Sequence, residues 1–240
     1  MNKRITSIIF SGMTFLTSTV WGNVTEPKRP NILILLTDDQ RWDAMGCAGN
    51  RILQTPEMDR LAREGIMFAN AFVTSSISAA SRASILTGQY ERTHGCYFNT
   101  GILHRSQLEQ SYPMLLRAAG YHTGFIGKYG VGDGKREIEG EEVFDRWYGF
   151  YEQGEYFPKS YPGKHLNEVT GEQAREFLDS ATADKPWCLS SSFKAPHSGK
   201  GFLSYEAEPD LKQLYTDVTI PEPTCRVNSA ELDEVKINYI

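Results

Sequence analysis

The order of apolar and polar segments in this chain predicts an α/β fold, with a mostly parallel central sheet flanked by helices. Three observations carry that reading. Apolar runs such as Asn31–Leu36 and Trp187–Phe193 read as strands, and the first, unbroken by polar residues, as one buried on both faces. Segments of helical period lie between the runs. Polar residues with chemical potential then follow the expected strand ends: Asp38 and Asp39, Ser78 and Arg82, Lys128, and Lys194 with His197. Ligands of open α/β sheets bind outside the carboxyl ends of the strands, so these segments are expected to meet at one edge.

The elements follow in chain order. After the Asn31–Leu36 strand, Thr55 is placed to cap a helix with Pro56 at its first position, Leu61 and Ala62 on its inner face and Gly65 as its stop. Ile66–Phe72 alternates like a strand, and a helix from Ser78 to Thr87 stops at Gly88. Ser111-Tyr112-Pro113 opens a helix through Leu115 and Leu116 to Gly120, and Tyr121–Gly127 is a strand ending at Lys128. A helical pattern around Val169–Leu178 precedes the Trp187–Phe193 strand. The stretch between Gly132 and His165 reads as a long aromatic loop, with Trp147, Tyr148, Phe150, Tyr151, Tyr156, Phe157 and Tyr161 packed onto the domain or stacked on a ligand ring.

With 240 residues and 40% hydrophobic content, one sizeable core is expected. The net charge of −5 argues against nucleic acid or an acidic membrane surface as partner. Lys3 and Arg4 precede an apolar stretch broken by Ser7, Ser11, Thr14 and Thr17, then Val20-Trp21-Gly22. This pattern reads as an export signal over residues 1–22, too short and polar for a stable membrane span. A mature protein beginning near Asn23 is then expected to be periplasmic or secreted. Cys47, Cys96, Cys188 and Cys225 show no CxxC spacing and read as free buried thiols.

Ser78 at the start of its helix and Arg82 one turn later form a pair. The helix N-terminus attracts an anion, and the arginine fork reaches back over the same spot. A capping serine with an exposed arginine is the competing reading. Asp38 and Asp39 repel each other at a strand end unless a hard cation such as Ca2+ lies between them, or both are solvated.

Together these segments resemble the N-terminal signature of the type I sulfatase family. The resemblance rests on Arg29-Pro30-Asn31-Ile32-Leu33, Thr37-Asp38-Asp39, Thr55-Pro56-Glu57-Met58-Asp59-Arg60-Leu61, Phe68-Ala69-Asn70-Ala71-Phe72 and Ser78-Ala79-Ala80-Ser81-Arg82 running into Leu86-Thr87-Gly88. It implies an alkaline phosphatase-like sandwich, with residues 23–240 as the N-terminal part of a sulfatase catalytic domain cut short at its C-terminal end. It further implies that Ser78 is oxidised to Cα-formylglycine, whose hydrate attacks sulfur and later expels sulfate by re-forming the aldehyde. By the same resemblance Asp38, Asp39 and the modified Ser78 bind Ca2+, and Arg82 supports the nucleophile. Lys128 and His197 bind the sulfate group, and Lys194 stands between a site role and a surface one. Serine in place of cysteine, with Ala80 in place of proline, resembles the substrates of radical-type maturases. The substrate class implied is a sulfated glycan or aryl sulfate.

Two departures qualify the resemblance. The family's Gly-Lys-x-His-x-Gly appears here as Gly127-Lys128-Tyr129-Gly130-Val131-Gly132, so the histidine position is Gly130. The chain also ends at Ile240 before the motif that completes the family's calcium site. Residues 229–240 read as an amphipathic helix cut short. The alternatives are a phosphomono- or phosphodiester hydrolase of the same superfamily, or an inactive remnant that binds anions.

Overall fold

In the computed structural model, the described residues are 29–97, 102–132, 140–199 and 204–221. The expected export signal, Cys225 and the C-terminal helix lie outside them. Four strands, β1 (Ile32–Leu36), β2 (His122–Lys128), β3 (Arg146–Phe150) and β4 (Trp187–Ser192), form one sheet in the order β1-β4-β2-β3. Every pairing is parallel, with Leu36 opposite Ser192, Gly127 opposite Ser192 and Lys128 opposite Phe150. All four carboxyl ends therefore open onto one edge, and three of the strands, β1, β2 and β4, are ones the sequence predicts.

The helices in chain order are α1 (Pro56–Glu64), α2 (Ser78–Thr87), α3 (Glu91–His94), α4 (Arg105–Leu108), α5 (Tyr112–Ala118), α6 (Gly140–Val143) and α7 (Leu166–Ser180). Successive residues of a strand face opposite sides. Phe125 of β2 accordingly joins a cluster with Ala83 and Leu86 of α2, Tyr129, Val143 and Phe144. Its neighbour Ile126 packs with Leu189 and with Phe177 of α7 on the other face. The result is a three-layer α/β/α arrangement. Gly124 makes the α7 layer possible, because a Cβ there would stand 2.5 Å from the Phe177 ring.

The structure corrects several expectations. Ile66–Phe72 is not a strand, and Phe72 is 89% exposed. Alternation supplies one face, but a strand also needs a hydrogen-bonding neighbour, and this segment has none among the described residues. Among the described residues β1 is an edge strand, with Leu33 and Leu35 exposed on one face and Ile32, Ile34 and Leu36 only half-buried on the other, so it is not buried on both faces. Leu61 is exposed on α1; Thr55 holds the N-cap position, as expected, but its side chain makes no capping bond, and its Oγ1 instead accepts from Gly46 N and donates to Asp59 Oδ1. Within the expected aromatic loop lies β3, whose Trp147 packs against Phe125, Tyr129 and Phe144. Cys47, Cys96 and Cys188 are free thiols, as expected, although Cys47 is only half-buried. Among the described residues no helix is long and apolar enough to cross a membrane.

His94 ties α3 to α2. Its Nδ1 accepts from Cys96 N at 3.0 Å and its Nε2 meets Ser84 Oγ at 3.0 Å. Burial holds its pKa below the ordinary 6.5, against the pull of Glu91. The unfolded chain thus binds the proton first as pH falls. Stability is full above about pH 6.5 and is lost as pH drops through the lower folded value. The urea midpoint should decline between about pH 7 and pH 5, and less steeply in His94→Gln. An identical decline in both proteins would remove His94 as its source.

Candidate active site

Each sequence-predicted residue reaches the carboxyl edge of the sheet by its own route. Asp38 follows β1, and its backbone N–H donates to Ala195 O at 3.1 Å, joining the β1 exit to the β4 exit. Asp39 takes a left-handed backbone at φ 62°, which aspartate tolerates better than most residues and which turns the chain sharply at the site. Ser78 is the first residue of α2 and not its cap, a position held by Ile77. The capping reading therefore fails, and the exposed-arginine reading fails with it, because Arg82 is buried.

Arg82 spends its donors on four groups. Nε donates to Ser78 Oγ at 3.1 Å, and Nη1 donates to Lys128 O at 2.5 Å and to Ser192 Oγ. Nη2 lies 3.5 Å from Asp38 Oδ2. Such a planar, fully engaged fork has one orientation. Burial lowers its pKa, while Asp38 and Asp39 raise it.

Lys128 is 1% exposed, so the reading of an ordinary surface lysine is excluded. Its Nζ donates to Asp38 Oδ2 at 2.5 Å and to Gln153 Oε1 at 2.6 Å. Lys194 is 2% exposed and likewise not a surface group. Its Nζ donates to Ser198 O at 2.9 Å and lies 5.1 Å from the centre of the Tyr156 ring. Burial lowers the pKa of both lysines; Asp38 opposes this at each, and the Lys128 charge adds to it at Lys194.

His197 follows Pro196, whose peptide bond with Ala195 is cis. His197 Nδ1 meets Ser198 O at 2.9 Å, and a carbonyl only accepts, so Nδ1 carries the proton. Nε2 faces Asp39 Oδ2 at 3.5 Å. Tyr156 donates its hydroxyl to His197 O at 2.5 Å, and burial pushes its pKa up to about 12.

The structure thus joins Asp38, Ser78, Arg82 and Lys128 in one bonded cluster, with Asp39 and His197 as a second pair and Lys194 beside Tyr156. Asp38, Asp39, Arg82, Lys128 and Lys194 carry three formal positive charges against two negative, which suits an anionic ligand. The sulfatase family model matches residues 30–228.

The chain belongs to the sulfatase family.

It is 35% identical over 209 residues to an N-acetylglucosamine-6-O-sulfatase of Bacteroides thetaiotaomicron, covering 82% of this chain and 35% of that protein. An ulvan-active sulfatase of Formosa agariphila is 31% identical over 212 residues, covering 82% of this chain and 40% of its own length. A solved structure of a protein in complex with its substrate D-glucosamine-2-N,6-O-disulfate superposes with TM-score 0.69 and 34% identity, over 82% of this chain and 40% of that one. The fold is therefore alkaline phosphatase-like, and the chain spans roughly two fifths or less of these relatives' length.

The donors present suit a hard cation in kind: two carboxylates and the Ser78 hydroxyl. They are too few, since Ca2+ takes about six to eight oxygens. Among the described residues no group of three or more His, Cys, Asp or Glu stands together to hold a metal.

Sequence reasoning missed Gln153 and Ser192 as site residues. Ser192 ends β4 opposite Gly127, and Gln153 follows β3, which the sequence reading took for part of a loop. Recognition of β3 as a parallel strand would have brought Gln153 to the same edge.

A side chain at Gly130 would meet Arg82 in this chain. Gly130 has φ +64°, and a Cβ there would lie 2.7 Å from Arg82 Cδ. Arg82 therefore occupies the space that a side chain at this position would need. Gly130→His, which installs the family's usual residue, should destabilise the chain by about 1–3 kcal/mol and displace Arg82. A thermal melt unchanged from wild type would show that Arg82 yields at no cost.

Proposed function

We propose that this chain is the catalytic portion of a sulfuric ester hydrolase, acting on a sulfated glycan or aryl sulfate, with a 6-sulfated glucosamine as the first substrate to try. One observation carries the reading: Ser78 Oγ, at the first turn of α2, lies 3.1 Å from Arg82 Nε where Asp38 and Lys128 converge. The relatives named for sulfate esters of amino sugars and of ulvan support the substrate class.

The chain's own residues would act as follows. Free N–H groups in the first turn of α2 and the ammonium groups of Lys128 and Lys194 neutralise charge on a tetrahedral oxyanion. Arg82, held by Lys128 O and Ser192, keeps the residue-78 oxygen at the edge of the sheet. His197 Nε2 takes or returns a proton, and Asp39 stabilises the imidazolium that results. Because Gly130 offers no side chain, His197 is the site's proton handler.

Oxidation of Ser78 to Cα-formylglycine by a radical-type maturase would supply a hydrated aldehyde as nucleophile, with a leaving route that serine lacks. Asp38, Asp39 and residue 78 would hold part of a Ca2+ site, which when filled would polarise a sulfate oxygen. Export to the periplasm or beyond, from the pattern of residues 1–22, belongs to the same proposal.

Protein made with the maturase should hydrolyse nitrophenyl sulfate, and the Ser78→Ala variant or protein made without the maturase should lose about 100-fold or more. Equal activity with and without the maturase would sink the modification. Nitrophenyl phosphate tested in parallel should be the poorer substrate; a preference for phosphate would transfer the site to the phosphoester hydrolases. If Asp38, Asp39 and residue 78 are the whole metal set, calorimetry should find Ca2+ binding no tighter than about 0.1 mM. Micromolar affinity would require further oxygen ligands outside the described residues.

A further inference from the structure

The loop leaving β3, residues 151–157, touches three basic residues of the site. Gln153 Oε1 accepts from Lys128 Nζ at 2.6 Å. The Tyr156 ring lies 5.1 Å from Lys194 Nζ, and its hydroxyl donates to His197 O. Of these contacts, the one on Lys128 determines a direction. An ammonium has three N–H donors on a freely turning stem. Asp38 takes one at 2.5 Å and Gln153 takes a second. With two donors fixed, the third has a single direction left.

The exit of β2 supplies no other partner from position 130. A Cβ at Gly130 would lie 3.7 Å from Lys128 Cε, so that position adjoins the lysine, yet it carries no side chain. The amide of Gln153 is also suited in charge. It holds the ammonium without cancelling it, whereas a second carboxylate would weaken the attraction for an anion.

We propose that Gln153 is a positioning residue: it clamps Lys128 Nζ against Asp38 and so aims the remaining N–H at the oxyanion of the substrate. The assignment rests on Lys128 as an oxyanion ligand, and it gives the β3 exit loop a part in the site.

The test is calorimetric binding of inorganic sulfate to the full matured chain, with turnover of nitrophenyl sulfate measured beside it. Gln153→Met keeps the side-chain length and removes the acceptor. The sulfate Kd should rise about tenfold with an unchanged melting midpoint. In a Lys128→Met background the same substitution should add nothing, because a residue that acts through Lys128 then has nothing to aim. Gln153→Ala repeats the comparison if the methionine variant melts early. An unchanged Kd, an equal loss in both backgrounds, or a wild type that binds no sulfate would overturn the assignment. A wild type that binds sulfate but turns over no ester removes the hydrolytic reading alone, and the sulfate comparison still decides the role of Gln153.

Discussion

Asp38 is the group on which the site depends. Its Oδ2 receives Lys128 Nζ at 2.5 Å and lies 3.5 Å from Arg82 Nη2, and all three side chains are buried. Two cations this deep repel each other and lose their hydration, so a carboxylate between them is the condition for holding both. The three residues come from the exits of β1 and β2 and from α2, which makes the ion cluster a joint between three elements as well as a binding surface. Arg82 extends the joint to β4 through Ser192.

The parallel sheet explains why the cluster can exist at all. With every strand running the same way, four exits share one edge, and short loops suffice to bring Asp38, Lys128, Lys194 and Gln153 together. Helix α2 then delivers the free N–H groups of its first turn, with Ser78 and Arg82, to the same edge. The polarity of β4 fits this placement. Ser190 meets Tyr112, and Ser192 meets Arg82, so a strand expected to be apolar instead carries hydroxyls where the site needs partners.

Much of this was legible in the residues. The limits of α2, its stop at Gly88, and the two central strands follow from apolar period and glycine placement, which are local properties of the chain. The failures share a cause. Ile66–Phe72 has the alternation of a strand and no partner, whereas Arg146–Phe150 has a partner and was hidden among aromatic and charged neighbours. Strand formation is a pairing event, and pairing is not written in one segment.

What the sequence by itself determined is the fold class and the residue types at the sheet edge: two aspartates, a serine with an arginine one turn on, two lysines and a histidine. Those follow from local pattern and from a motif resemblance. Only the tertiary structure decided which of them are bonded to one another. Arg82 and Lys128 share Asp38, His197 turns Nε2 toward Asp39, and Arg82 Cδ lies 2.7 Å from where a Cβ at Gly130 would stand. Each of these is a contact between segments far apart in the chain, set by burial and charge balance in three dimensions.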